Sequence, residues 1–150
     1  MTRRLFTIGY ARATQDAVVA ALRDARVEVL VDVRAIAASR RAGFAKSSLK
    51  AAVEEAGLEY MHLRSLGTPK EGREAARRGD RATLEKVYAG QLELPEALAQ
   101  MAQLRALAKQ HSVCLLCYCE EADSCHRSLL ADAAFGDWKR IDLSPRPTAT

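Results

Sequence analysis

The sequence predicts an α/β fold: a mostly parallel sheet with helices on both faces, formed by a single domain. Three observations carry this. Short aliphatic runs alternate with segments whose apolar residues recur at helical spacing, the pattern of strand–helix–strand units. One of those runs, Val27 to Val33 (VEVLVDV), is aliphatic nearly throughout, as a strand covered on both faces should be. The chain has 150 residues, 49% of them hydrophobic, which suits one domain with a real core and is short for two.

The elements follow in order. Leu5-Phe6-Thr7-Ile8 is a first strand ending at Gly9. Thr14 caps a helix whose stripe is Ala17, Val18, Ala21, Leu22 and Ala25. Val27 to Val33 is the second strand. A helix starting at Ser47 or Ser48 presents Leu49, Ala52, Val53 and Ala56 on one face, and Gly57 stops it. Leu58 to Leu63 is a third strand. Arg64 to Asp80, with Gly67, Pro69, Gly72 and Gly79, reads as a polar surface loop with some helix over Arg73 to Arg78. Asp80 caps a helix running through Tyr88, and Pro95 opens another reaching Gln110. Val113 to Cys119 is the fourth strand, and a helix follows from the Cys125 turn. Ile141-Asp142-Leu143 forms a short last strand. This leaves residues 1–144 as the domain and 145–150 as a frayed tail. The architecture is Rossmann-like, with a strand order that the sequence does not fix.

Composition narrows the function classes. No apolar run approaches the ~20 residues of a membrane span. Met1-Thr2-Arg3-Arg4 leads straight into a strand-like segment, unlike a secretory leader. The expectation is a cytoplasmic protein with no membrane attachment. Four Cys, with Cys117, Cys119 and Cys125 close together, point to metal binding or reactivity more than to a secreted disulfide framework. The formal charge of +4 is uneven. Arg34, Arg40, Arg41 and Lys46 gather in one connection, and Lys70, Arg73, Arg77, Arg78 and Arg81 in another; only the first cluster reads as part of a site. Cofactors held by G-x-G-x-x-G or P-loop motifs are not expected, since neither motif occurs. Basic residues without interleaved aromatics also weaken a single-stranded nucleic-acid platform.

The chemistry-bearing residues lie where strands end. Cys117-Tyr118-Cys119-Glu120-Glu121-Ala122-Asp123-Ser124-Cys125-His126-Arg127 spans a strand-to-helix turn. With Asp123 or Ser124 as cap, Cys125, His126 and Arg127 occupy the first helical turn. There the helix dipole favours a thiolate or a bound anion, and Arg127 offers a fork-shaped donor. Strand alternation turns Cys117 and Cys119 to one side of the sheet and Cys114 to the other. Zinc on Cys117, Cys119, Cys125 and His126 fits by ligand type. The C-x-C-x5-C-H spacing, however, lacks the paired C-x2-C knuckles of a structural site, and no metal is assigned. A reversible disulfide from Cys125 to Cys117 or Cys119 is open. Asp32 and Arg34 share one face at the end of the second strand, either as an internal ion pair or as base and anion clamp. Arg40 follows on the loop. Gly9 permits close backbone approach, and Tyr10 adds a ring and a hydroxyl. His62 and His111 read as structural.

These motifs resemble a family called domain of unknown function 488. The matching residues are Thr7-Ile8-Gly9, Asp32-Val33-Arg34, Ser39-Arg40, Leu66-Gly67-Thr68-Pro69-Lys70, Leu115-Leu116-Cys117 and Cys125-His126-Arg127-Ser128. The resemblance implies a compact α/β domain with the motifs gathered at the strand ends, and little about reaction. The chain departs from the family pattern in having Tyr10 and Ala11 where many relatives have His and Ser, Ala37 or Ala38 in place of a Pro, and Cys119 before the acidic Glu120.

The leading expectation is a site for an anionic, nucleotide-like or nucleic-acid ligand. Gly9, Tyr10, Arg34, Arg40 and Arg127 bind, and Asp32, Cys117, Cys125 and His126 carry thiol- or carboxylate-assisted hydrolysis or transfer. Two rivals stand beside it: a non-catalytic redox- or metal-responsive binding module using Cys117, Cys119 and Cys125, and a structural lock in which Asp32, Arg34, His126 and Arg127 only fix the strand ends. The residues alone do not choose between enzyme and binder, and oligomeric state is not legible.

Overall fold

The computed structural model describes residues 3–145. It contains a five-stranded, all-parallel sheet in the order β3-β2-β4-β1-β5. The strands are β1 (Arg4–Gly9), β2 (Val29–Asp32), β3 (Glu59–His62), β4 (Val113–Cys117) and β5 (Lys139–Leu143). The helices are α1 (Gln15–Asp24), α2 (Lys46–Glu55), α3 (Lys70–Arg78), α4 (Arg81–Leu92), α5 (Pro95–Gln110) and α6 (His126–Ala134). Among the described residues, no helix is long and apolar enough to cross a membrane. The expected tail lies almost wholly outside the described residues.

Alternation along the strands builds a core on each face of the sheet. Leu5, Val29, Val31, Val113 and Leu115 meet Tyr88 of α4, Leu104 of α5 and Leu130 of α6. Phe6, Ile8, Leu30, Cys114 and Leu116 meet Val18 and Leu22 of α1 and Leu49 and Val53 of α2. Both layers bury aliphatic side chains, each contributing about 1.5–3 kcal/mol when fully removed from water. The connection leaving β1 goes to one face and that leaving β4 to the other. The carboxyl ends of these neighbours therefore flank a topological switch point, where open α/β sheets hold their ligands.

Several boundaries move from the expected ones. Thr14 caps α1 by accepting from the Ala17 amide, and Asp80 caps α4 through Thr83, as the sequence indicates. Helix α2 starts at Lys46 without a side-chain cap, so neither Ser47 nor Ser48 acts as one. Helix α4 continues to Leu92. The segment read as a polar loop with some helix over Arg73 to Arg78 holds a 3-10 turn at Arg64–Leu66 and the helix α3, which covers that stretch, starts earlier, at Lys70, and buries only Gly72 and Ala75. Strand β4 ends at Cys117, so Cys119 leaves the sheet and strand alternation does not orient it. Asp123 and Ser124 fall in a separate 3-10 turn, and Cys125 itself is the N-cap residue of α6.

Candidate functional site

A cleft of about 660 Å³ opens over the carboxyl ends of β1, β2 and β4. Its walls come from Tyr10, the loop after β2, α3 and the turn between β4 and α6. Cys117, Cys125 and His126 line it, each buried in its own right. Exposed Ile36 and Tyr118 form an apolar rim.

The loop after β2 is tied to the sheet by Asp32. This carboxylate is wholly buried and all its acceptor capacity is taken. Oδ1 accepts from the Arg34 amide at 3.1 Å and Arg34 Nε at 2.8 Å; Oδ2 accepts from Arg34 Nη2 at 2.6 Å and from the Tyr60 hydroxyl. Arg34 Nη1 donates onward to Tyr10 Oη at 3.0 Å and to the Phe44 carbonyl at 2.7 Å. Burial opposes the Arg34 charge, but the Asp32 carboxylate outweighs it and raises the guanidinium's pKa. Burial, with the bond to Asp32, also pushes the Tyr60 hydroxyl upward. Tyr10 is clamped between this guanidinium and Phe44, with ring centroids 4.3 Å apart. His62 Nε2 lies 2.7 Å from the Arg34 carbonyl, a structural placement. Asp32 therefore offers no free oxygen to a ligand, and Arg34 presents a guanidinium already engaged on three sides.

Gly9 and Arg127 lie behind the cleft wall, outside its lining. In register with Cys117, Gly9 lets the turn after β4 pass directly over it: a Cβ there would stand 1.7 Å from the Cys119 carbonyl oxygen. Arg127 is 1% exposed and holds the same turn from within. Its Nη1 donates to Cys117 Sγ at 2.9 Å and to the Cys119 carbonyl at 2.5 Å, and Nη2 donates to the Glu120 carbonyl at 3.2 Å. These acceptors carry no carboxylate charge. Burial lowers the Arg127 pKa, against the opposing pull of Cys119, Asp142 and Cys114.

Cys117, Cys125 and His126 place their ligand-type atoms within 4.8 Å of one another. The sulfurs of Cys117 and Cys125 are in bonding contact as a disulfide, one of the two pairings the sequence left open, while Cys119 is free. His126 Nε2 lies 2.7 Å from the Val33 carbonyl, so that nitrogen carries the proton and donates. Nδ1 then presents its lone pair 3.5 Å from Cys125 Sγ. Burial pushes the His126 pKa down to about 4, so the neutral ring is the working form. Cys119 lines the cleft but stays outside this cluster, and burial raises its thiol.

The cationic side chains over this cluster are only partly those expected. Arg40 lines the cleft from the loop after β2 and is exposed. Arg73 and Arg77 also line it, one turn apart on α3. They belong to the basic cluster that sequence reasoning set aside. The Pro69 start, Glu71 in the first turn, Arg77-Arg78 in the last and Gly79 beyond are the helix signals that place them on one face. Arg73 also donates to the Thr68 carbonyl at 2.9 Å.

Neither a curated protein nor a solved structure matches the chain. A family model described as domain of unknown function DUF488 matches residues 14–134, which takes in the Asp32-Val33-Arg34 and Cys125-His126-Arg127 motifs and leaves Thr7-Ile8-Gly9 just before it. With most of its length inside that match, the chain belongs to the DUF488 family.

Proposed function

We propose that the chain binds a phosphate-bearing anion of nucleotide size in this cleft, and that the chemistry performed on it runs through the Cys117, Cys125 and His126 centre. The observation that carries this reading is convergence. Guanidiniums from two separate segments, Arg40 from one and Arg73 and Arg77 from the other, line the same cleft as that Cys/His cluster. Arginine forks suit phosphate oxygens, and the cleft volume lies within the range of small-molecule sites. The apolar rim of Ile36 and Tyr118 gives a base or similar ring a surface to lie on.

In this reading Arg34, Arg127 and Gly9 hold the frame and Tyr10 forms a wall. Asp32 is no general base, because its oxygens are committed to Arg34 and Tyr60. A lock made of Asp32, Arg34, His126 and Arg127 accounts for those residues. It gives no reason for Arg73 and Arg77 to face the cleft. Cysteines gathered with a histidine in one cleft, unlike the framework of a small secreted domain, suit a reducing compartment, and the cytoplasm is the setting proposed.

Titration calorimetry with adenosine diphosphate and with inorganic pyrophosphate tests the reading. Wild-type protein binds, more weakly as salt rises, and Arg73→Ala/Arg77→Ala loses about tenfold or more, equivalent to roughly 1.4 kcal/mol. Absence of binding to either probe, or binding that the double replacement leaves intact, overturns it.

A further inference from the structure

We infer that the reduced centre is a zinc site, with Cys117 Sγ, Cys125 Sγ and His126 Nδ1 as ligands and a fourth position open to the cleft. The inference deepens the proposed function by naming what the Cys/His centre holds. It rests on that reading only for the anion expected at the fourth position.

The geometry of one pair already fits. Tetrahedral zinc, with Zn–N near 2.05 Å and Zn–S near 2.3 Å, sets its nitrogen and sulfur ligands about 3.6 Å apart. His126 Nδ1 stands 3.5 Å from Cys125 Sγ. The ring is turned for ligation: Nε2–H is fixed on the Val33 carbonyl, which leaves Nδ1 as a lone pair in contact with Cys125 Sγ and within 4.8 Å of both sulfurs. Metal-bound histidines are held by such an outer hydrogen bond in nearly every site. The Cα atoms of Cys117 and Cys125 are 7.7 Å apart, a span compatible with two thiolates on one cation.

Charge and softness agree. Two thiolates and an imidazole favour zinc over magnesium or calcium, which take oxygen ligands. Thiolates at Cys117 and Cys125 balance the zinc charge, and Arg127 Nη1, 2.9 Å from Cys117 Sγ, remains as an outer N–H donor to that sulfur. All three ligands are buried, yet they line the cleft. Three protein ligands with one accessible position is the arrangement of catalytic zinc, where bound water is activated or an oxygen of the substrate is polarised. The sequence spacing gave no such indication, because Cys125 and His126 are adjacent and Cys117 comes from another element.

The disulfide must open first. A phosphine reductant supplies the two electrons: phosphorus takes oxygen from water, leaving as phosphine oxide, and the two sulfurs become thiols. Zinc then displaces both thiol protons.

The experiment uses full-length protein, reduced with a phosphine, freed of metal and handled without oxygen. Zinc alone is added and bound metal measured by elemental mass spectrometry. Cobalt(II) is used in parallel as the optical probe. About one zinc per chain is expected, with intense visible bands of tetrahedral cobalt and a thiolate-to-cobalt band in the near ultraviolet. Zinc should also shield Cys117 and Cys125, and not Cys119, from alkylation in wild-type protein, a readout that needs no variant. Cys125→Ser should lose the near-ultraviolet intensity and weaken zinc at least tenfold, while Cys119→Ser retains both. Substoichiometric zinc, weak octahedral cobalt bands, or protection that includes Cys119 overturns the site. Zinc uptake without binding of adenosine diphosphate or pyrophosphate keeps the metal centre and removes the anion reading; anion binding by protein that takes up no zinc does the reverse.

Discussion

Arg34 grips Asp32 through both carboxylate oxygens, at 2.8 Å and 2.6 Å, and the Tyr60 hydroxyl completes the shell. Two residues that looked in sequence like base and anion clamp are thus a buried, closed unit. Removing one partner leaves the other charged and desolvated. Asp32→Asn is expected to cost about 3–5 kcal/mol of stability, and Tyr60→Phe, which removes one bond to a charged acceptor, about 1.5–3 kcal/mol. Urea denaturation measures both. A stable Asp32→Asn protein lacking only ligand binding would contradict this assignment.

Exposed Arg77 gives the opposite signature. Arg77→Ala is expected to change stability by less than about 0.5 kcal/mol while weakening anion binding. Melting curves set beside calorimetry separate the two effects. Loss of stability comparable to that of Asp32→Asn would make Arg77 part of the frame.

Gly9 is expected to tolerate no side chain. The added methyl of Gly9→Ala would meet the Cys119 carbonyl oxygen at 1.7 Å, so the turn between β4 and α6 must shift. Arg127 then loses its carbonyl acceptors on that turn. The expected outcome is destabilisation of about 1–3 kcal/mol, the range of overpacking, together with weaker zinc uptake. Unchanged melting would show that the turn has room the structure does not display.

The Glu28 and His111 pair makes a pH-dependent contribution at the other end of the sheet. Glu28 accepts from the Ser112 amide at 3.0 Å and lies 3.0 Å from His111 Nδ1, and these contacts hold its carboxyl below the usual range, the His111 bond first. A carboxyl lowered on folding stabilises the fold above its unfolded pKa, and the contribution disappears as pH falls through the folded value. Glu28→Gln should therefore melt lower than wild type near pH 6, and the gap should begin to close as pH falls below the ordinary carboxyl value of about 4.3. A gap that widens in acid would reverse the sign and refute the assignment.

Thiol reactivity should be graded. Cys114 is fully buried and its pKa is pushed far upward; Cys119 is also raised by burial. In reduced, metal-free protein a small thiosulfonate reagent should label Cys117 or Cys125 before Cys119 at pH 7. Cys119 labelling should continue to rise above the ordinary thiol range of about 8.5, and Cys114 should stay silent until unfolding. Mass spectrometry of the labelled peptides reads the order. Faster labelling of Cys119 at neutral pH would remove the role given to Arg127 beside Cys117.

Much of the fold was legible because its signals are local. Thr14, Asp80 and Pro95 mark helix starts by capping or backbone chemistry that a few residues suffice to reveal. Helix α3 was legible only over Arg73 to Arg78, because its buried face is Gly72 and Ala75, too small to register as an apolar stripe. Without that stripe nothing showed which way the helix faces, and the two arginines that line the cleft were set aside. The Cys/His cluster was half visible: Cys125 and His126 announce a strand-to-helix turn. That Cys117 joins them and Cys119 does not depends on where β4 stops. Strand order was invisible for the same reason, since pairing β4 between β2 and β1 is a long-range event with no local signature.

That insertion has a consequence for how the molecule is made. β1 and β2 leave the ribosome early and are not each other's neighbours; the strand that joins them arrives only after α5. A nascent chain ending before Val113 carries two aliphatic strands with facing open edges, the form of chain that aggregates or engages chaperones. Tyr10, Arg34 and Cys117 cannot share a cleft until that gap closes. Docking of the fourth strand therefore closes the middle of the sheet and brings the two halves of the cleft together, before α6 and the edge strand β5 are added.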